Sequence, residues 1–281
     1  MVFRSTIFGL AVSIAISAMT AFAGEDELQL ITGRIEGYVG SRVLDLDALP
    51  DQPDFGFEGG GVGSIVYRRS IAFLQVDVFG DWNDAESAAA NIGVGGHLGV
   101  ISSESGLLAL TGAFNSYKLD GLEDFDQGRI GGEAELFVGP VTLGVSAGHS
   151  FPTSNGTDYE GEGSYARAII RGYINDNLKI EGVGGMSKTF LLGADDAVSP
   201  VARILIEYRP ASMPVGFFTR WEGFFIDDSL GVGEGSTHSA VAGVRYYLDG
   251  SPSLKVSDRE YFRDACTFSP SLAGALGVRG C

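Results

Sequence analysis

The sequence predicts an all-β protein, an antiparallel up-and-down β-barrel of about twelve strands followed by a short tail outside the barrel wall. Twelve stretches alternate apolar and polar residues with the period of two that is typical of a strand. The connections between these stretches are alternately short and long. No later stretch approaches the roughly 20 uninterrupted apolar residues that a membrane-spanning helix needs. The pattern therefore favours strands throughout.

The first residues have the pattern of a cleaved secretory signal. Arg4 precedes an apolar run from Ile7 to Ala18, and Ala21-Phe22-Ala23 stands just before an acidic stretch. A basic start, a short apolar run and an Ala-x-Ala end are typical of a signal rather than of an anchor. We expect residues 1–23 to be removed, residues 24–248 to form the barrel and residues 249–281 to form a periplasmic tail.

The composition narrows the range of partners. The formal net charge is −17, which argues against nucleic-acid binding because the phosphate backbone would be repelled. The chain has 42 glycines without a collagen-like period. Glycines inside strands usually mark bends or places where two backbones approach closely.

The hairpin over 200–225 shows the alternation most clearly. Ile204 and Ile206 lie on one side of its first strand, and Arg203 and Glu207 lie on the other. The twelve predicted strands cover approximately 28–38, 55–67, 71–81, 88–101, 107–117, 127–138, 141–150, 163–174, 178–190, 200–209, 215–225 and 237–248.

The connections fall into two classes. The short ones carry turn-forming residues and occupy 68–70, 102–106, 139–140, 175–177 and 210–214. The longer ones are acidic and occupy 39–54, 82–87, 118–126, 151–162, 191–199 and 226–236. Short turns at one end and long loops at the other, with an even strand count, are the layout of an outer-membrane barrel.

Aromatic residues stand near many predicted strand ends, where they would form interfacial girdles: Tyr67, Trp82, Tyr117, Phe137, Phe151, Tyr173, Phe190, Tyr208, Trp221 and Tyr246. With this layout the chain resembles the Gram-negative outer-membrane β-barrel proteins, of the small porin-like kind. The stretch from Ala240 to Leu248 looks like their closing strand. Barrels of this kind commonly end on that strand, whereas a tail follows here, so we expect an internal assembly signal at Tyr246-Tyr247-Leu248.

The resemblance implies residence in the bacterial outer membrane. Its expected partners are outer-membrane lipid, lipopolysaccharide and the barrel-assembly machinery. A transport role adds small polar solutes as ligands, whereas nucleic acid is not expected.

The inward-facing charges are the candidate functional residues. Alternate residues of a strand face the same side, and this alternation places one set of charged side chains in the lumen. The predicted pore-lining residues are Arg34, Glu36, Asp77, Arg129, Glu133, Glu135, Arg167, Arg171, Arg203, Glu207, Arg220, Glu222 and Arg245. Glu58, Lys179, Glu181 and Arg209 share the same parity. A charged interior requires water or ionic partners, so two hypotheses stay open: a narrow channel for small polar or ionic solutes, or a closed structural or adhesion-type barrel acting through its acidic loops. For the channel, Arg167, Arg171, Arg203 and Arg220 are the candidate constriction residues.

The sequence contains no recognisable catalytic motif. Barrel lipases and deacylases use a His-x-Ser pair, and omptin-like proteases use Asp-x-His, but neither pattern surrounds His97, His149 or His238. A triad assembled from separate strands stays open. We expect no enzymatic activity and no cofactor.

Metal binding is also not expected. Asp45 and Asp47, together with Asp51 and Asp54, suggest a loop that binds a hard cation such as Ca²⁺. However, Pro50 stands where an EF-hand needs glycine. A solvated acidic loop explains these residues better. It is compatible with divalent cations that bridge the loop to lipopolysaccharide.

Both cysteines lie near the C-terminus. In an exported protein, Cys266 and Cys281 are expected to form a disulfide that closes a small loop. Two thiolates alone would supply only half of a tetrahedral metal site.

Overall fold

The computed structural model describes residues 29–46, 54–84, 89–119, 125–152, 162–190, 197–211, 213–226, 234–251 and 253–263. Its strands are β1 (Gln29–Leu46), β2 (Asp54–Arg69), β3 (Ala72–Asn83), β4 (Ala89–Ser102), β5 (Gly106–Leu119), β6 (Phe125–Val138), β7 (Val141–Pro152), β8 (Glu162–Asn175), β9 (Leu178–Phe190), β10 (Ala197–Tyr208), β11 (Val215–Ile226) and β12 (Gly235–Tyr247). A short helix, α1 (Leu254–Glu260), follows β12.

The twelve strands form one closed barrel. Each strand pairs antiparallel with its neighbours in the sequence, and β1 closes the circle by pairing with β12. In the closing ladder Glu36 lies opposite Arg245, and Arg34 lies opposite Tyr247. The predicted fold class and strand count are confirmed.

The two ends of the barrel differ, as the connections predicted. Short turns such as Gly139-Pro140 lie at the end where β1 begins and β12 finishes, and we call it the short-turn end. Gly139 has a φ of 57°, a backbone conformation in which glycine is favoured because it lacks a Cβ. The strand ends that the longer connections join lie at the opposite end, which we call the long-loop end. The tail therefore leaves the barrel at the short-turn end.

The first hairpin is longer than the sequence predicted. β1 was expected to end near residue 38, but it continues to Leu46, so Asp45 lies in a strand rather than in a loop. Inward burial continues through Arg42 and Leu44, whereas Val39 faces outward. Gly40 and Ser41 obscured the alternation because neither adds a large apolar side chain. The predicted cation-loop residue Asp47 lies outside the described residues.

The outer surface is apolar and the interior is polar. Ile204 and Ile206 are 52% and 42% exposed, whereas Arg203 and Glu207, on the same strand, are 4% and 0% exposed. This is the reverse of a soluble barrel, and it matches a barrel whose outer band faces lipid. The helix in the described part of the chain is not long and apolar enough to cross a membrane.

The predicted aromatic girdle is only partly correct. Trp82, Phe151, Tyr208 and Tyr246 are exposed on the outer surface. Four others are buried: Tyr67, Tyr117, Phe137 and Tyr173. Proximity to a strand end was the only criterion, and it ignores the parity that decides whether a side chain points outward or inward.

We predict that Gly40→Val destabilises the barrel, because a Cβ there would collide with the carbonyl oxygen of Ala240 on β12. Overpacking of this kind costs about 1–3 kcal/mol. Gly37→Val is the matched control, since a Cβ at Gly37 has nothing within 4 Å. Urea unfolding followed by tryptophan fluorescence should show the loss for Gly40→Val alone. Equal midpoints for the two variants would contradict the prediction.

Candidate functional site

The predicted charged residues occupy inward positions of the barrel wall. Nearly all are buried: Arg34, Glu36, Asp77, Arg129, Glu135, Arg171, Arg203, Glu207, Arg220, Glu222 and Arg245. Glu133 and Arg167 are partly exposed. Their role as the lining of a pore stays a prediction.

Glu36 is the centre of one ion-pair network. Its Oε2 lies 2.6 Å from Nε of Arg245, and its Oε1 lies 3.4 Å from Nη1 of Arg220. Arg220 also places Nε 3.1 Å from Oε1 of Glu222. The two arginines come from β11 and β12, while Glu36 comes from β1. Closure of the sheet is therefore what brings them together.

The same network continues through Glu207 toward the short-turn end. Arg245 and the hydroxyl of Tyr247 both donate to the Glu207 carboxylate. Lys179 Nζ lies 3.0 Å from Glu207 and 2.7 Å from the Asp258 carboxylate. Asp258 belongs to helix α1, so the tail is bonded into the interior network.

A second network runs through Glu181 and Glu135. Arg171 donates from Nε to Glu181 at 2.8 Å, and Arg203 donates from Nη2 to the same carboxylate at 2.5 Å. Arg171 also lies 3.5 Å from Glu135. Arg263, a residue of the tail, donates to the other oxygen of Glu135 at 2.9 Å. Buried charges are tolerated when they are paired in this way.

His97 lies between two carboxylates. Its Nδ1 is 2.9 Å from Glu133, and its Nε2 is 3.5 Å from Asp77. Since both ring nitrogens face acceptors, the geometry suits a doubly protonated imidazole that bridges the two carboxylates. With 4% exposure, His97 is an interior polar residue of the barrel.

The tail covers the short-turn end with a capped helix and an apolar contact. The Ser253 side chain accepts a hydrogen bond from the Val256 backbone at the start of α1. Leu254 packs in a buried cluster of four residues: Val66, Tyr247, Leu254 and Phe262. This contact holds the helix against the inside of the mouth.

Polar contacts fix the tail further around the mouth. Arg34 donates to the Arg263 carbonyl at 3.1 Å, and Gln75 donates to the same carbonyl at 3.0 Å. Arg68 donates to the Glu260 carbonyl at 2.9 Å. The tail is therefore bonded to β1, β2 and β3 through backbone oxygens as well as side chains.

Arg259 contacts the opposite side of the mouth. Its Nη2 donates to the Val141 carbonyl at 3.0 Å, and its guanidinium lies over the Phe137 and Tyr173 rings. Burial lowers the pKa of the Arg259 guanidinium, although Tyr173 opposes the shift. An arginine stays charged at neutral pH despite such a shift.

The sequence predicted that the tail lies outside the barrel wall, but it gave no sign that Asp258 and Arg263 would enter the interior. A short helix could have been inferred from Ser253 as an N-cap and Leu254 as an apolar residue. Its binding partners could not, because they are spread over many strands. The expected Cys266–Cys281 disulfide lies outside the described residues.

Accessible space inside the barrel lies along the middle of β4 to β9, where inward positions are partly exposed. Thr111, Glu133 and Arg167 are partly exposed at inward positions in the middle of these strands. Arg167 donates from Nε to Ser146 at 3.1 Å, and its guanidinium lies 5.2 Å from the Tyr165 ring centre. Of the four predicted constriction arginines, Arg167 is thus the one with access, while Arg171, Arg203 and Arg220 are buried in ion pairs.

His149 makes contacts of the kind that a catalytic triad uses. Its Nδ1 lies 3.1 Å from the Ser164 hydroxyl, and its Nε2 lies 3.0 Å from Glu162. The side chains of His149 and Glu162 are 39% and 57% exposed at the long-loop end, and Ser164 is exposed as well. Water competes for such surface contacts, so they describe a hydrogen-bond chain at the rim more simply than an enclosed active site.

Within the described ranges, no cluster of three or more histidine, cysteine, aspartate or glutamate residues is arranged to hold a metal ion. Interior carboxylates such as those of Glu36, Glu181 and Glu207 are instead bonded to arginine or lysine.

The overall architecture has counterparts among known structures. No protein-family model matches the sequence, and no curated protein matches it. The COG4313 outer membrane channel from Pseudomonas putida F1 superposes with a TM-score of 0.58 at 10% identity, covering 80% of this chain and 98% of that one. A NanC porin superposes with a TM-score of 0.52 at 8% identity, covering 77% of this chain and 100% of that one. The chain shares the closed antiparallel barrel fold of these outer-membrane proteins.

The likeness applies to the barrel wall rather than to the individual interior residues. Identities of 8% and 10% transfer no residue role from those proteins to the charged networks. The networks of Glu36 and Glu181 must therefore be understood from their own geometry.

We predict that Glu36→Ala lowers the free energy of unfolding by about 3–5 kcal/mol, because it leaves Arg220 and Arg245 buried beside a lost partner. Glu162→Ala is the matched control. It removes an exposed contact with His149, which is worth less than about 1 kcal/mol. Denaturant unfolding in detergent micelles measures both. A loss below about 1 kcal/mol for Glu36→Ala would show that water solvates the network.

Proposed function

We propose that this protein is an outer-membrane channel that passes small polar or ionic solutes through a narrow path beside its ion-paired interior. The observation that carries the proposal is a polar interior with accessible charges, Glu133 and Arg167, inside a barrel with an apolar outer surface. An apolar outer band suits lipid, and accessible interior charges suit a hydrated path.

The location follows from the same architecture together with the N-terminal pattern. A cleaved signal over residues 1–23 would direct the chain across the inner membrane. The short turns, the start of β1 and the finish of β12 would then face the periplasm, and the acidic loops would face lipopolysaccharide. The assembly machinery would read the end of β12, where Tyr246 and Leu248 are exposed on the outside and Tyr247 is buried.

Arg167 and Glu133 are the proposed selectivity residues. They lie at inward positions of β8 and β6, and both are more accessible than the charges of the Glu36 and Glu181 networks. Opposite charges on nearby strands would produce a field across the path, which orients polar solutes and discriminates between ions.

A closed barrel is the second candidate function. The observation that favours it is the occupied short-turn mouth, where Arg263 and Leu254 of the tail are buried. In that case the protein would act through its acidic outer loops in adhesion or envelope integrity, without transport.

We predict that the folded protein gives small discrete current steps in planar lipid bilayers, and that Arg167→Glu shifts the ion preference toward cations. The reason is that the substitution replaces an accessible interior cation by an anion. Reversal potentials in a salt gradient measure the cation-to-anion permeability ratio. This ratio should rise at least twofold. Lys188→Glu is the matched control, because Lys188 is exposed on the outer side of β9.

Equal reversal potentials for Arg167→Glu and Lys188→Glu would contradict the proposed path. If no current appears, even in variants whose tail has been moved away from the short-turn mouth, the closed-barrel function is favoured. Folding is verified for every variant by the heat-dependent change in electrophoretic mobility that a closed barrel gives.

A further inference from the structure

We propose that the tail, meaning the described residues after Leu248, is a displaceable plug that closes the short-turn mouth while leaving the barrel wall folded when it moves away. The inference deepens the proposed channel function and rests on it, because a plug regulates only a lumen that conducts.

The tail lies across the mouth rather than along one side of it. Its contacts come from strands all around the barrel: Arg34 on β1, Arg68 on β2, Gln75 on β3, Glu135 on β6, Val141 on β7, Tyr173 on β8, Lys179 on β9 and Tyr247 on β12. Arg209, which directly follows β10, donates to Ser251. A segment bonded to so many strands must cross the opening.

The plug also reaches into the barrel. Leu254 and Arg263 are 0% and 2% exposed, so the wall surrounds both side chains. The Arg263 backbone nitrogen donates to the Gln75 amide oxygen at 2.7 Å, and the Gln75 amide nitrogen donates to the Arg263 carbonyl. This reciprocal pair gives the end of the plug a defined position below the mouth.

The wall does not depend on the plug for its own hydrogen bonds. Backbone ladders link all twelve strands in a closed ring, which includes the pairing of β1 with β12. Such a ring has no open edge for the tail to protect. Removal of the tail therefore leaves the sheet complete.

Several wall side chains that bind the plug keep a second partner within the wall. Lys179 binds Asp258 but also lies 3.0 Å from Glu207. Glu135 binds Arg263 but also lies 3.5 Å from Arg171.

Two further wall residues also keep a second partner within the wall. Gln75 donates to Asp77 at 2.8 Å as well as to the Arg263 carbonyl. Arg68 donates from Nε to the Ser70 carbonyl at 3.0 Å in addition to its contact with Glu260. Loss of the plug would therefore not leave these groups buried without a partner, which is the condition that makes breaking an ion pair costly.

The plug, in contrast, depends on the wall. Helix α1 has seven residues, and isolated helices shorter than about 12 residues are unstable in water. The charged side chains of the plug, Asp258 and Arg263, would regain hydration when the plug leaves the mouth. The plug thus has two compatible environments, which a displaceable element requires.

The experiment uses the full chain and measures whether the mouth is covered. Thr142 is 0% exposed and stands one residue from the turn at the start of β7, where it makes none of the plug contacts described above. Thr142→Cys, combined with Cys266→Ser and Cys281→Ser, provides one thiol beneath the plug. A small water-soluble maleimide then reports how fast that thiol reacts.

Two plug variants break different contacts. Asp258→Lys combined with Arg263→Glu places like charges against Lys179 and Glu135. Leu254→Asp places a carboxylate in the apolar cluster of Val66 and Tyr247. Either should increase the labelling rate at least tenfold and enlarge the current steps in bilayers. Lys255→Gln is the matched control on the same helix, because it removes only an exposed contact with Asp176 and should leave both readouts unchanged.

The outcomes separate the plug from the channel. Faster labelling together with larger currents in both variants supports both proposals. Unchanged labelling in both folded variants overturns the plug, whatever the currents are. Faster labelling without any current supports a displaceable cover but overturns the channel function on which the regulatory role rests. Heat-dependent electrophoretic mobility identifies the folded barrels. If the variant Asp258→Lys with Arg263→Glu misfolds, the labelling rate of Leu254→Asp alone tests the plug.

Discussion

The pairing of β1 with β12 is the constraint on which the rest of this structure depends. Backbone hydrogen bonds between Ile35 and Tyr246 and their neighbours turn twelve strands into a ring without an edge. Once the ring is closed, the two-residue period of each strand gives every side chain an inner or an outer position. The apolar outer surface and the charged interior both follow from that division.

Closure also creates the electrostatic partners that the interior requires. Glu36 on β1 accepts hydrogen bonds from Arg220 on β11 and Arg245 on β12. No local interaction could span this separation in the sequence. Ion pairs in a buried setting repay their desolvation only when geometry and hydrogen bonds are good. The Glu36 and Glu181 networks meet this condition because four of their carboxylates each contact two cations: Glu36, Glu135, Glu181 and Glu207. They fill one part of the lumen, whereas the space beside Glu133 and Arg167 stays accessible.

The tail uses the same chemistry at the mouth. Asp258 and Arg263 extend the two wall networks, and their wall partners Lys179 and Glu135 retain other contacts. A wall whose backbone ring is complete without the tail can exist in two states, whereas a short helix cannot be stable in solution alone. The arrangement joins a rigid, self-sufficient barrel to a segment whose order depends on the barrel.

The sequence by itself determined the number of strands, the inward direction of the charged side chains and the end from which the tail leaves. These properties follow from local alternation and from the lengths of connections, as Arg203 against Ile204 illustrates. The length of β1 was not predictable because Gly40 and Ser41 carry no apolar signal, and the inward rotation of Tyr67 and Tyr173 was missed because strand-end proximity says nothing about parity. Only the tertiary structure decided which charges pair, which stay accessible and where Asp258 and Arg263 bind. Such contacts join residues far apart in the chain, and their geometry exists only after the ring has closed.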